Sequence, residues 1–257
     1  MTLNSKQITD SFFSKVNTKF SGLTFIDETH EYFVEGNKVP LSVSGVVKGF
    51  VPFTDWDAIA QAVARRDGKT KAQVLAEWEE KKNKGLNAGT KTHDFAEKQD
   101  RVAETEKEEA VIKFWKVLEL DNPYRYVLVA KELRMYHKIY GFCGTCDFIL
   151  YDTLTSTYII GDYKTNIDLF KNFNGNLLLE PFEFLLDHAY NQYQIQLSSY
   201  QILLEQLEGV IVTERWLVHL RDDKNYHCYK TYDYSSYLIN YFNQRDLESH
   251  LQISMSI

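Results

Sequence analysis

Two stretches of the chain set carboxylates and an amine at spacings that let them converge: Gly141-Phe-Cys-Gly-Thr-Cys-Asp147-Phe-Ile-Leu150 and Tyr158-Ile-Ile-Gly-Asp162-Tyr-Lys164-Thr165. Both read as β-strands, and side chains alternate faces along a strand, so Asp162 and Lys164 share one face while Tyr163 points away. If the two strands form a hairpin centred between Leu154 and Thr155, Asp147 falls directly opposite Asp162. Like charges so placed destabilise a sheet by up to about 1 kcal/mol when solvated and by more when buried. A divalent cation removes that cost. Carboxylate oxygens with a few waters suit Mg²⁺, and such an ion makes water more acidic and offsets charge on a phosphoryl oxygen. Lys164 would then orient or activate the attacking water and stabilise developing negative charge. On the same reasoning, replacing Asp162 by alanine relieves repulsion in the metal-free protein. An isolated Asp-x-Lys is usually a solvated surface ladder. Here the pair ends the apolar run Tyr158-Ile159-Ile160, where unpaired charge is costly.

The order of these and two further motifs resembles the PD-(D/E)XK nuclease superfamily, in particular its RecB-like and phage-type exonuclease branch. The chain supplies Gly89-Thr-Lys-Thr-His93, Gly144-Thr-Cys-Asp147, Asp162-Tyr-Lys-Thr165 and Gln196-Leu-Ser-Ser-Tyr200 in the family's order, and the resemblance reaches upstream to Phe25. It implies a restriction-endonuclease-like α/β core: a central mixed β-sheet flanked by helices, with an N-terminal hairpin and helical extension. It also implies that Asp147 and Asp162 hold Mg²⁺ or Mn²⁺, that the Tyr163 backbone carbonyl completes the shell, that Lys164 is catalytic, that His93 reaches the metal from a helix, and that Gln196 and Tyr200 brace the site or touch DNA. The expected activity is hydrolysis of DNA phosphodiester bonds by an exonuclease of phage-type recombination, repair or DNA processing. A structure-selective endonuclease is the alternative within enzymes, since the same centre serves both. A catalytically inactive DNA-binding or assembly module is the alternative outside them, and intact Asp147, Asp162 and Lys164 speak against it. The chain departs from the family pattern between Asn166 and Ala189.

Further carboxylates are weaker candidates. Glu97 follows His93 by four residues and so shares its helix face, although surface solvation explains it equally well. Glu132, beside Lys131 and near Arg134, is either another metal carboxylate or a sheet-edge ion pair, which contributes little. Cys143-Gly-Thr-Cys146 matches redox and zinc patterns, but strand formers follow it rather than the helix N-terminus that lowers a thiol pKa. With only Cys228 besides, a four-thiolate iron–sulfur cluster is not expected. His30, His137, His188, His219, His227 and His250 show no metal-ligand spacing. No Walker loop occurs, so no nucleotide cofactor is expected and any helicase would be a separate partner. Tyr136, Tyr140 and Tyr163 flank the motifs and are the aromatic candidates for substrate contact.

The elements needed to hold these residues can be read in order. Leu23 to Pro40 has the pattern of a β-hairpin. Helical periodicity runs from Ser42 to about Leu118, with Gly85 and Gly89 expected to break it before a short helix from Thr92 to Gln99. Strands are expected at about Arg125 to Met135, Ile139 to Tyr151 and Thr157 to Thr165. A helix from Ala189 to Leu207, strands at Val210 to Leu220 and Tyr226 to Tyr232, and a helix from Ser235 to Leu251 complete a single α/β domain. Within it, 1–84 form the N-terminal elaboration, 85–232 the catalytic core and 233–257 the C-terminal helix. Asn166 to Ala189 contains Phe170, Phe173, Leu177, Leu178, Leu179, Phe182 and Phe184, too apolar for a solvated loop. It is expected either to cap the core or to narrow the approach to Asp162 and Lys164, favouring a single strand with a free end.

Length and composition set the outer limits. At 257 residues, with 44% hydrophobic and 25% charged residues, the chain has ordinary globular values. A net charge of −7 excludes a protein coated in nucleic acid by bulk electrostatics and leaves room only for a local basic groove. No stretch approaches the roughly 18 apolar residues of a membrane helix, and Met1 to Lys19, alternating polar and apolar, lacks a signal-peptide core. Three cysteines give no even disulfide framework, which fits a reducing cytoplasm, that of a host if the protein is virus-encoded.

Overall fold

Ile8, Phe12 and Val16 recur every fourth position, and they form the buried face of helix α1 (Ser5–Lys19). The alternation of polar and apolar residues does not announce this helix, but its capping box does: the Gln7 amide donates to Asn4 Oδ1 at 2.9 Å and the Asn4 amide to Gln7 Oε1 at 3.0 Å. A computed structural model describes residues 4–172 and 175–255, with side chains through residue 245. Phe173 and the side chain of His250 therefore lie outside the described residues.

The expected hairpin is a three-stranded antiparallel sheet of β1 (Leu23–Ile26), β2 (Glu31–Val34) and β3 (Asn37–Lys38). A two-residue strand, β4 (Leu41–Ser42), then enters the main sheet, and Ser42 caps helix α2 (Val43–Lys48). Helices α3 (Trp56–Asp67), α4 (Lys71–Lys98) and α5 (Glu106–Asp121) follow. Gly85 and Gly89 do not break α4, which runs 28 residues across both and across the division expected at 84/85. Interior glycine costs a helix up to about 1 kcal/mol relative to alanine. At Gly89 a Cβ would meet Thr165 Oγ1, at the end of the lysine-bearing strand, at 3.5 Å, an ordinary contact distance, so close packing does not require a glycine there. One end of α4 packs on α3 through Ala60, Ala64 and Val74. The other end carries His93 to the sheet.

The main sheet comprises β4, β5 (Tyr126–His137), β6 (Phe142–Asp152), β7 (Thr157–Lys164), β8 (Val212–Leu220) and β9 (Tyr226–Lys230). It is mixed: β5–β6, β6–β7 and β8–β9 are antiparallel, whereas β4–β6 and β7–β8 are parallel. Helix α6 (Ala189–Leu204) makes the crossover between the parallel pair β7 and β8, and α7 (Ser235–Met255) closes the order. One face packs under α1, α2, α6 and α7 through residues such as Phe12, Val46, Ile195 and Leu238; the other packs under α5 and the end of α4 through Phe95, Phe114, Phe148 and Trp216. The chain is thus an α/β fold with a mixed sheet flanked by helices. No helix among the described residues is long and apolar enough to cross a membrane.

Residues 166–188 contain no helix or strand among those described, only a bridge between Leu177 and Leu186. Leu169, Leu178 and Phe182 are buried, and Phe182 meets Phe50 edge-on at 4.9 Å. The segment therefore caps the α6 face of the core in part. Phe170 and Phe184, by contrast, remain half exposed.

Helix α5 is fixed at its start by Glu108, whose side chain is 1% exposed. It accepts two hydrogen bonds from Arg101, at 3.0 and 2.5 Å, and one from the Glu104 amide at 2.6 Å. Arg101 first, and the Glu104 and Thr105 amides besides, hold the Glu108 carboxyl below its ordinary range. Glu108→Gln should cost about 1–2 kcal/mol, toward the modest end because Arg101 keeps contact with water. A depressed carboxyl contributes stability above its unfolded pKa and loses it as pH falls through the folded one. Denaturant unfolding at pH 7 and pH 3 should therefore show a mutant deficit at pH 7 that shrinks at pH 3.

Candidate metal centre

The register places the acids. In the β6–β7 hairpin the pairs run from Asp152↔Thr157 to Phe148↔Gly161, so Asp147 and Asp162 stand opposite one another one step beyond the last ladder pair. On the other side of β6, Lys131 pairs with Phe148 and Leu133 with Cys146, which sets Glu132 opposite Asp147. Three carboxyl-bearing residues thus form a row across three adjacent strands. The row lies where backbone pairing of β6 with β7 ends, and the Tyr163 amide donates to Asp147 Oδ2 at 2.7 Å.

Two glycines make this junction. A Cβ on Gly161 would lie 1.8 Å from Cζ of Phe148, whose ring occupies that space. A Cβ on Gly144 would come within 2.8 Å of both the Tyr200 ring and a Val43 methyl. Neither position accepts a side chain without moving the strands or the helix that carries Tyr200.

His93 reaches the row from α4, its Nδ1 lying 3.2 Å from Asp147 Oδ2. His93, Glu132 and Asp147 can each offer one ligand atom such that all three lie within 4.8 Å of one another. Asp162 does not belong to that trio. Its Oδ2 lies 2.5 Å from the Lys164 ammonium, and its Oδ1 accepts a hydrogen bond from Gln196 Nε2 at 3.1 Å. Gln196 Nε2 also donates to the Tyr200 hydroxyl at 2.9 Å. The Lys164 ammonium sits 4.5 Å above the centre of the Tyr193 ring, whose hydroxyl donates to Asn166 Oδ1 at 2.8 Å. Asp162 is thus tied to Lys164 and α6, while Asp147 faces α4 and β5.

The electrostatics follow from burial and proximity. The Asp147 charge raises His93 from 6.5 to about 9, against the opposing effect of burial. Burial, with Asp147 alongside, raises Glu132 from 4.5 to about 8. Burial also raises Asp162 to about 6, with Lys164 opposing. Asp147 ends below its ordinary range because His93 and Lys164 outweigh its burial. Lys164 ends above its own because Asp162 outweighs the burial that would discharge it. At neutral pH in the metal-free protein, two ammonium-type charges balance two carboxylates, and Glu132 holds a proton.

Other expected residues fall differently. Tyr163 is 2% exposed and packs against Phe114 and Phe148, so its ring is core and not a substrate contact; its amide is the part engaged in the site. Tyr136 packs on Phe20, and Tyr140 stacks on His137 and Phe242 at the far end of β5–β6, both away from the acids. Glu97 is exposed, near enough to push Glu132 upward but outside the trio. Lys131 donates to the carbonyls of Ala96 and Glu97, both at 2.9 Å, and so anchors the end of α4 to β5. Burial pushes the Cys143 thiol up to about 12 and Cys146 well above its ordinary value, the opposite of a reactive thiolate. Tyr193 is the residue that sequence reading missed. Its signal is the helical spacing Tyr193, Gln196, Tyr200, which sets all three on one face of α6. A cavity of about 560 Å³ lined by Asn4, Trp115, Tyr126 and Leu150 lies elsewhere and contains none of these groups.

No protein-family model matches the chain, and no curated protein matches it.

Two substitutions separate the roles of the acids in EDTA. Asp162→Ala leaves Lys164, 14% exposed, without its counter-charge, which should cost about 3 kcal/mol. That reverses the stabilisation expected from carboxylate repulsion alone, because Asp162 is nearer to a cation than to Asp147's influence. Glu132→Gln imitates the protonated acid. A carboxyl raised on folding loses stability as pH climbs from its unfolded value near 4.5 to about 8. Thermal melts should therefore show Glu132→Gln matching the parent near pH 4.5, exceeding it increasingly toward pH 8, and holding a constant advantage above. A constant difference across that range would remove the buried, protonated Glu132.

Proposed function

We propose that the chain is a divalent-metal-dependent deoxyribonuclease with a restriction-endonuclease-like core, of the PD-(D/E)XK kind. The observation that carries this reading is the row Glu132–Asp147–Asp162 across β5, β6 and β7, with Lys164 two residues beyond Asp162 on the same face. The donor set fits a hard or borderline cation. His93 supplies nitrogen and Glu132 and Asp147 supply oxygens, in a place where the half-buried Glu132 carboxyl otherwise keeps a proton. Mg²⁺ prefers oxygen, and the imidazole favours Mn²⁺ relative to it. Asp162 can join this set by giving up its contact with Lys164 through Oδ2 or with Gln196 through Oδ1.

When bound, such an ion supplies Lewis-acid chemistry: it offsets charge developing on a phosphoryl oxygen and makes water more acidic. The chain's own residues do the rest. Asp162 holds Lys164 as an ammonium in the metal-free protein, which suits it to act as a cationic donor toward a phosphoryl oxygen or an attacking water. Asp162 and the Tyr193 ring fix that ammonium from two sides, and Gln196 with Tyr200 fixes Asp162. A donor so held needs no reorganisation as charge develops. An exonuclease acting in DNA recombination, repair or processing is our preferred form of this reading, and an endonuclease uses the same centre.

The test is cleavage of end-labelled DNA with Mg²⁺, Mn²⁺ or EDTA. We expect metal-dependent cleavage that falls at least about 100-fold in Lys164→Ala and Asp147→Asn, the loss typical of removing one charge-stabilising group. His93→Ala should reduce Mn²⁺ activity at least as much as Mg²⁺ activity. Cleavage by purified Lys164→Ala at the parental rate would falsify the assignment. Covalently closed circular single-stranded DNA in the same assay assigns the form: survival of the circle beside loss of the linear strand fits an exonuclease, and loss of both an endonuclease.

A further inference from the structure

The catalytic face of the sheet does not stop at Lys164. Lys164 pairs with His219 on β8, and His219 pairs with His227 on β9; one step earlier Asp162 pairs with Leu217, and Leu217 with Tyr229. Directly paired residues share a face, so His219, His227 and Tyr229 lie on the same side of the sheet as Asp162 and Lys164. Adjacent strands are about 4.8 Å apart, which puts His227 and Tyr229 about 10 Å from the catalytic strand.

Phe170 and Tyr190 cover this edge together with Tyr229. Their ring centres form a triangle: Phe170 to Tyr190 5.0 Å, Phe170 to Tyr229 5.8 Å, Tyr190 to Tyr229 5.5 Å. The cluster is held by its neighbours. Leu169 is buried in the core, its carbonyl accepts from the Tyr190 amide at 2.8 Å, and Asp168 Oδ1 accepts from the Phe170 amide at 2.8 Å. Leu169 therefore does the plugging, while Phe170 remains 50% exposed. Tyr190 lies one helical turn before Tyr193, the ring beneath Lys164, so the aromatic surface is continuous with the site along α6. Polar groups border it: His219 Nε2 contacts the Asn166 carbonyl at 2.7 Å, and Arg221 lies 2.8 Å from His227 Nε2 and 3.4 Å from Asp223.

We propose that this surface is a subsite for unpaired nucleotides of the DNA strand being cut, with Phe170, Tyr190 and Tyr229 as the stacking platform and His219, His227 and Arg221 as the polar border. The proposal rests on the nuclease reading and names its substrate as single-stranded at the nucleotides beside the scissile bond. Stacking suits a chain of net charge −7, since every base has a π-face and affinity need not come from bulk positive charge. The three aromatic residues lie in or beside the 166–189 segment and on β9, away from the four motifs around the metal centre.

The test is fluorescence anisotropy of a labelled single-stranded 12-mer and a blunt duplex of the same sequence, in EDTA, with the full chain. Phe170→Ala and Tyr229→Ala should each weaken single-strand binding at least about five-fold, the lower bound for loss of one stacked base, and leave the duplex unchanged. Phe170→Leu keeps apolar cover and removes the ring, so it should bind as poorly as Phe170→Ala while melting like the parent. With few cationic groups on the surface, the logarithmic salt slope should be about −2 or shallower. Parental affinity in Phe170→Leu, or equal losses on both DNAs, overturns the subsite. Metal-dependent duplex cleavage by a parent that binds no single strand overturns the subsite and leaves the nuclease reading intact. A parent that neither binds nor cuts DNA overturns both.

Discussion

The structure turns on one constraint: three carboxyl groups, on Glu132, Asp147 and Asp162, occupy neighbouring strands at the place where backbone pairing of β6 with β7 runs out. Side by side in a buried place, they cannot all carry charge without compensation. The protein meets this with two internal cations and one proton. His93 and Lys164 approach from opposite sides, and Glu132 keeps its proton to about pH 8. Metal ligands must release their protons to bind, so for the proposed metal the imidazole and the Glu132 carboxyl would be the groups through which affinity couples to pH. Lys164 stands outside that exchange, because its partner is Asp162 and not the trio.

Much of the remaining architecture serves to hold this row. The α4 helix must deliver His93 to the strand ends, and it does so past Gly89, where the backbone comes near Thr165. Two lysines fasten the pieces: Lys131, midway along β5, holds the last turn of α4, and Lys107 on α5 donates to the Thr165 carbonyl at 2.9 Å. Backbone carbonyls at a helix C-terminus carry partial negative charge and lack intrahelical donors, so the Lys131 contact satisfies both needs at once. Position is thereby set by these polar contacts as well as by the apolar layers on either side of the sheet.

What the sequence made legible was what obeys a period. The two-residue repeat put Asp162 and Lys164 on one face, and counting from the β6–β7 turn put Asp147 across from Asp162; both follow from local geometry and both hold. What escaped depends on distant packing. The polar residues of α1 hide a stripe, Ile8, Phe12 and Val16, that has meaning only once β5 lies against it. Glycines at 85 and 89 look like breaks, yet α4 runs through both. Tyr163 looks like a site residue by position, whereas alternation sends its ring to the α5 face. Glu132 required the β5–β6 register, which a bulge near Leu128 and Ala130 disturbs and which no count from a single turn supplies.

On the proposed nuclease reading an acidic chain must present a face to a polyanion, and the strand register shows where that face would lie. Bulk charge repels a nucleic acid here, so favourable contact must be local and short in range. The α6 face offers such contacts in sequence across β7, β8 and β9: an ammonium held over a ring, an imidazole paired beside it, then a second imidazole and a tyrosine at the edge. Beyond Lys164, none of these positions carries a recognisable motif, and the histidines have no ligand spacing along the chain. They become neighbours because parallel pairing of β7 with β8 aligns Lys164 with His219, and the β8–β9 turn folds His227 back onto His219. Spacing in the sequence reports metal sites built within one element, whereas a surface assembled across strands is visible only in the pairing.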